Sequence, residues 1–181
     1  MSTIKADKWV FPDGNPAGTV LQVQSINYTQ TFATNTYLTE RIPVTGFFVN
    51  ITPKYANSKI LLMCQIAMGF SDTPQWSWYI DRTGTGAVKR IGVQERQGNR
   101  MNGYHGGPRD FNALSFTDEV ESYAHCVMDY PETTNQLTYQ VCLSDLWSGN
   151  NFKYVNRSST DSNNGFATRG TSTLTVMEIA Q

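Results

Sequence analysis

From Ile60 to Phe70 the chain alternates with a period of two, and both halves of the alternation are apolar. Ile60, Leu62, Cys64, Ile66, Met68 and Phe70 fall on one side, and Leu61, Met63 and Ala67, with Gln65, on the other. A helix is the competing reading of so long a run. Ile60, Cys64, Ile66 and Phe70 are β-branched, cysteine or aromatic, and the flanks are turn-like, which favours a strand. A strand apolar on both faces needs two covers. One is a second sheet of the same domain, and a neighbouring subunit is expected to supply the other. Leu61, Met63 and Ala67 are therefore the expected subunit interface.

The same period recurs along the chain. Phe47, Val49 and Ile51 share a face, as do Trp76, Trp78 and Ile80 before a Gly84-Thr85-Gly86 turn, and a hairpin partner is expected over 87–95. In 19–32 the pair Leu21 and Val23 has the opposite parity to Ile26 and Tyr28, which predicts a bulge near Gln24 and Ser25. Further strands are expected over 119–129, 136–143, 152–156 and 171–179, where Leu174 and Val176 oppose Thr175, Met177 and Ile179. Only 16% of residues are charged, against roughly 25% in ordinary globular chains, and Ser, Thr, Asn and Gly make up about a third. That composition suits strands and turns and lacks the residues that fill exposed helical turns. Eight or nine strands with turns every ten residues or so predict an all-β, antiparallel β-sandwich of the jelly-roll kind.

Residues 1–17, ending in FPDGNPAG, carry no sustained period and are expected to form an extended anchoring arm ahead of a sandwich domain over 18–181. Ile4, Lys8, Trp9 and Phe11 are the arm's candidate contact residues. A net charge of -1 gives no long-range attraction for phosphate backbones, so no nucleic-acid partner is expected. The longest apolar run is far short of the roughly 20 residues that span a bilayer, and the start lacks a secretory leader, so neither membrane insertion nor export is expected. Cys64, Cys126 and Cys142, without a CxxC pair, read as buried free thiols rather than a disulfide framework or zinc site.

No catalytic motif is present, and no catalytic, metal or cofactor set is expected. Glu119 and Glu121 share a strand face, but no aromatic sugar platform accompanies them. The sequon at Asn156 reads as coincidence. The remaining chemistry is in loops: Tyr104, His105, Trp147 and Asn150 sit in Gly-, Ser- and Asn-rich segments within or beside 97–115 and 146–170. Aromatic rings beside amides stack on sugar faces and hydrogen-bond hydroxyls, so these are the candidate ligand residues.

The segments STIKAD, AGTVLQVQS, ITPKYANSKILL, DYPETTNQLTYQV, NRSSTD and RGTSTLTVMEIA, in this order and spacing, cover nearly the whole chain. Together they resemble a family of bacteriophage virion proteins, frequent in phages of marine and freshwater bacteria and described as tail-fibre-like or structural. The resemblance implies a non-enzymatic β-sandwich, homotrimeric, on the outside of the particle and made in the host cytoplasm. Residues 94–117 depart from the pattern, so no receptor residue is carried over there. Two placements follow. A capsid decoration or cement protein would lay its arms on the major capsid protein; a tail-fibre or baseplate adhesin would bind host-surface carbohydrate. Nothing beyond the arm resembles a fibre shaft, which favours decoration.

Overall fold

The computed structural model describes residues 18–37, 39–71, 76–94, 97–98, 100, 102–107, 118–145 and 152–181. Their strands are β1 (Val20–Tyr28), β2 (Phe32–Thr34), β3 (Thr39–Ile51), β4 (Lys59–Phe70), β5 (Trp76–Thr83), β6 (Lys89–Arg90), β7 (His105–Gly107), β8 (Glu121–Asp129), β9 (Leu137–Asp145), β10 (Lys153–Val155) and β11 (Ser172–Ile179). In sheet I, β4 lies between β11 and β8, and β1 pairs the far side of β11. Beyond the end of β11, β10 takes over beside β4 and β2 beside β10, so the short pair prolongs β11 and β1. Sheet II runs β3, β9, β5, and its last place is shared by β6 and β7.

Counted by place, the first strand pairs the last (β1 with β11), the second the last but one (β3 with β9), the third β4 with β8, and the innermost pair is β5 with β6 and β7. Every pairing is antiparallel. A nested hairpin wound over two sheets in this way is a jelly roll. The alternation explains why these residues form it: Ile60, Leu62, Ile66 and Met68 of β4 are fully buried against Phe47 of β3, Trp78 of β5 and Tyr139, Val141 and Leu143 of β9.

Among the described residues two buried ion pairs join the sheets at opposite ends. Arg82 on β5 donates to Asp129 on β8 at 2.7 Å, and the Tyr139 hydroxyl donates to the same oxygen at 2.9 Å. About 20 Å along β9, Asp145 accepts from the ammonium of Lys153 on β10, which also donates to Thr36 O at 3.1 Å. All four charged groups are nearly solvent-free. Such pairs add little net stability over apolar isosteres, but losing one partner leaves a buried charge at a cost of about 3–5 kcal/mol. They fix how one sheet lies on the other.

The structure moves two expectations. The β1 irregularity falls between Val20 and Gln22, not at Gln24 and Ser25. Gln22 takes an inward place because its amide donates to Glu178 at 2.6 Å and to Thr52 O at 2.6 Å, so Val23 stays outward and 49% exposed. The expected hairpin partner over 87–95 shrinks to Lys89–Arg90, and the three residues of β7, inside the segment read as irregular, supply the rest of that edge.

Candidate interaction face

The outer face of sheet I is the face that the two-sided alternation of β4 anticipates. Val23 of β1, Thr175 and Met177 of β11, Leu61 and Met63 of β4, and Cys126 and Met128 of β8 point out from it. Cross-strand register sets Met63 between Cys126 and Thr175, and Leu61 between Met128 and Met177. Met63 is 46% exposed, and a shallow depression of about 390 Å³ lies over Met63, Gln65, Ala124, Cys126, Thr173 and Thr175. The one outward charge of these four strands is Lys59, at the margin, whose ammonium lies 5.9 Å from the Tyr130 ring. A solvated sheet face ordinarily alternates apolar-in with polar-out and carries charge. This one carries sulfur, methyl and hydroxyl groups.

The upper part of the face is closed by the chain itself. After β10, Asn156 turns at φ 62, a conformation asparagine tolerates better than most residues. Its N–H donates to Ala67 O at 2.9 Å, its side-chain amide donates to Tyr28 O at 2.6 Å and Gln30 O at 2.9 Å, and Ser172 Oγ donates to Asn156 Oδ1 at 2.6 Å. Asn156 is 1% exposed, which removes the sequon from solvent. The chain then runs out and back over sheet I, closed by the Arg157–Arg169 bridge and by Asp161, which takes both guanidinium groups. It crosses so closely that a Cβ on Gly69 would lie 2.2 Å from Arg157 O. A Cβ on Gly170 would lie 2.9 Å from that of Ala67. Ala67 is accordingly 2% exposed, so of the three expected interface residues Leu61 and Met63 face the open part and Ala67 lies under the chain's own hairpin.

Sheet II is built differently. On its outer side Ser77, Tyr79, Asp81 and Cys142 are all buried. Arg41 donates to Asp81 at 2.7 Å, Arg90 stacks over the Tyr79 ring at 3.6 Å and bonds Asn102, and the Tyr79 hydroxyl donates to Glu40 O. Gly103 packs against Ser77 with no room for a Cβ. Charge and loop cover this face, while among the described residues nothing covers the middle of sheet I.

Tyr104 turns inward rather than presenting its ring in a loop. It meets Trp78 edge-on at 5.0 Å and stacks on His125 of β8 at 4.0 Å, closing the seam between β5 and β8. Burial raises the Tyr104 hydroxyl above the ordinary tyrosine range and lowers the His125 imidazole below 6.5. His105 starts β7, its backbone paired with Trp78. Trp147, Asn150, Ile4, Lys8, Trp9 and Phe11 lie outside the described residues. Of the thiols, Cys64 and Cys142 are buried and pushed up in pKa by burial, whereas Cys126 is exposed on the open face, against the expectation of three buried thiols. Glu121 accepts from the Tyr123 hydroxyl. Among the described residues no group of three or more His, Cys, Asp or Glu is placed to hold a metal ion.

Sequence reasoning missed Glu178. Its carboxylate is fully buried and accepts from the Lys54 N–H at 2.7 Å, the Tyr55 N–H at 3.3 Å, Ser58 Oγ at 2.7 Å and the Gln22 amide at 2.6 Å, tying the β3–β4 loop to the last strand. The clue lay in parity, since an acid at 178 continues the inward series of Leu174 and Val176.

No protein-family model and no curated protein matches this chain. Among solved structures it is similar to chains of infectious bursal disease virus. The Gx strain structure gives a TM-score of 0.41 at 12% identity, covering 99% of this chain and 45% of that one. A mutant VP2 protein of the same virus, in T=1 particles, gives 0.42 at 10% identity over 98% of this chain and 42% of that one. This chain thus spans less than half the length of those proteins, and its jelly-roll assignment rests on its own strand order.

Proposed function

We propose that the chain is a non-enzymatic structural protein of a bacteriophage particle, a homotrimeric decoration or cement module on the capsid exterior. The observation that carries this reading is the open, nearly charge-free outer face of sheet I around Leu61 and Met63, set beside the sequence resemblance to phage virion proteins. A face of this kind is stable in water when another surface covers it. Further support comes from the termini. Gly18 N–H donates to Ala180 O at 3.2 Å and Ala180 N–H to Thr19 O at 2.9 Å, so the chain enters β1 beside Ala180. Three arms on one trimer act multivalently, which turns weak docking into durable attachment.

The test is rebinding. Purified protein is expected to bind capsids that lack it, and removal of residues 1–17 to abolish binding while the circular dichroism of the sandwich is unchanged. Undiminished binding by the truncated chain would contradict the arm mechanism. A second reading, a tail-fibre or baseplate adhesin, is favoured by Phe166, 76% exposed on the hairpin that follows β10. It predicts that the protein labels host cells and that Phe166→Ser weakens the labelling.

A further inference from the structure

The outer edge of β1 is open, since among the described residues no strand pairs β1 on the side away from β11. The ladder fixes which groups point there. Ala180 exchanges bonds with Gly18 and Thr19, so the even-numbered residues of β11 turn toward β1 and the odd-numbered ones toward β4. Gln22, Gln24, Ile26 and Tyr28, opposite Glu178, Val176, Leu174 and Ser172, therefore use their N–H and C=O groups on β11. Those of Val23, Ser25 and Asn27 face away. Lys54 confirms the direction, because its ammonium reaches Leu21 O, of the same parity, at 3.0 Å.

Edge strands are normally blunted by charge, proline or bulges. The neighbouring edge strand β3 is, with Pro43, Gly46 at φ 81 and a broken register between Pro43 and Phe48. From Gln22 to Tyr28, β1 has regular register, no proline and no charge. Beside it runs a groove of about 340 Å³, lined by Gln24, Ile26, Gly46, Phe48 and Asn50, with Phe48 39% exposed.

We propose that this edge pairs with the same edge of a second copy, antiparallel across a two-fold axis at Ser25. The free groups are symmetric about that residue: Ser25 meets Ser25 of the second copy, Val23 meets its Asn27, and Asn27 its Val23. About six backbone hydrogen bonds form, satisfying all three residues on both edges. The inward side chain of Ile26 from each copy falls beside Gln24 of the other, at the groove under Phe48. The two copies of sheet I become one continuous sheet. This contact uses the edge of sheet I, is separate from its outer face, and links trimers where the face builds them.

Sedimentation velocity of the full chain over a concentration series tests it, with Met63→Glu as a second background in which the outer-face contact is removed. That variant is expected to dimerise with rising concentration and Met63→Glu/Ser25→Pro to remain monomeric, because proline removes the N–H at the axis without touching a bond to β11. A variant chain with Ser25→Cys and Cys126→Ser is expected to cross-link to a dimer on mild oxidation, which keeps the test valid if the proline disturbs folding. Amide exchange at Val23, Ser25 and Asn27 is expected to slow as concentration rises. A Met63→Glu chain that stays monomeric, together with no cross-link, would overturn the proposal. So would protection of the three amides independent of concentration, which would mean that another segment of the same chain covers the edge.

Discussion

Glu178 shows how one residue sets the geometry at the end of the sandwich that holds the termini. Its carboxylate receives two backbone N–H groups, a hydroxyl and an amide, and among the described residues no cation is bonded to it. Glu178→Gln replaces an acceptor oxygen by a donor facing other donors, and is expected to cost about 2–3 kcal/mol, read as a lower urea midpoint at unchanged slope. His125 makes the prediction that depends on pH. Burial against Tyr104 holds its pKa below 6.5 in the fold. In the window between that lowered value and the unfolded value near 6.5, the unfolded chain binds the extra proton, so stability rises with pH there and falls on acidification. Denaturation midpoints measured between about pH 7 and pH 5 are expected to slope less in His125→Phe than in the parent chain. An unchanged slope would mean that the imidazole does not titrate differently in the fold. Neither role was visible in the sequence as a motif. Both depend on which partner sits opposite, and a lone Glu or His on a strand does not announce that.

At the scale of elements, the period of two predicted most strands and their inward faces, because alternation across a sheet is a direct consequence of backbone geometry. It failed where polar bonds override it, as at Gln22, and where an edge place is split, as between β6 and β7. It also gave no sign that residues 157–169 double back over β4. That covering hairpin is permitted by Gly69, which has no Cβ to meet Arg157 O, and by Asn156, which anchors its base. Gly69→Ala is expected to lift the hairpin while leaving the two sheets intact. Limited proteolysis checks this: cleavage near Phe166 should accelerate several-fold, with little change in the far-ultraviolet circular dichroism. An unaltered cleavage rate would show that the crossing has slack which the 2.2 Å approach does not suggest.

At the scale of the whole molecule, the described residues of the sandwich cover one outer face with charged groups and loops and leave the middle of the other open and nearly uncharged. The Ile60 to Phe70 run made the open face legible, since its alternation is apolar on both sides of β4. The extent of that face was not legible, because Ala67 looks equivalent to Leu61 and Met63 until the hairpin is seen to lie over it. Tyr104 was ambiguous for a related reason: an aromatic in a glycine-rich segment can serve a sheet seam, where its ring packs here, as well as a sugar.

In the proposed trimer, copies of the same chain cover the open face. Met63 is half-exposed within one subunit, so Met63→Glu should change the stability of a single subunit by no more than about 0.5 kcal/mol, while placing a charge at the centre of the contact. The direct measurement is solution mass by light scattering, with the edge contact silenced in both chains by Ser25→Pro. A mass of about 61 kDa, three times 20.3 kDa, is expected for the chain with Met63, and 20.3 kDa for Met63→Glu. A mass of 20.3 kDa at every concentration with Met63 in place, or a trimer that survives Met63→Glu, would contradict it.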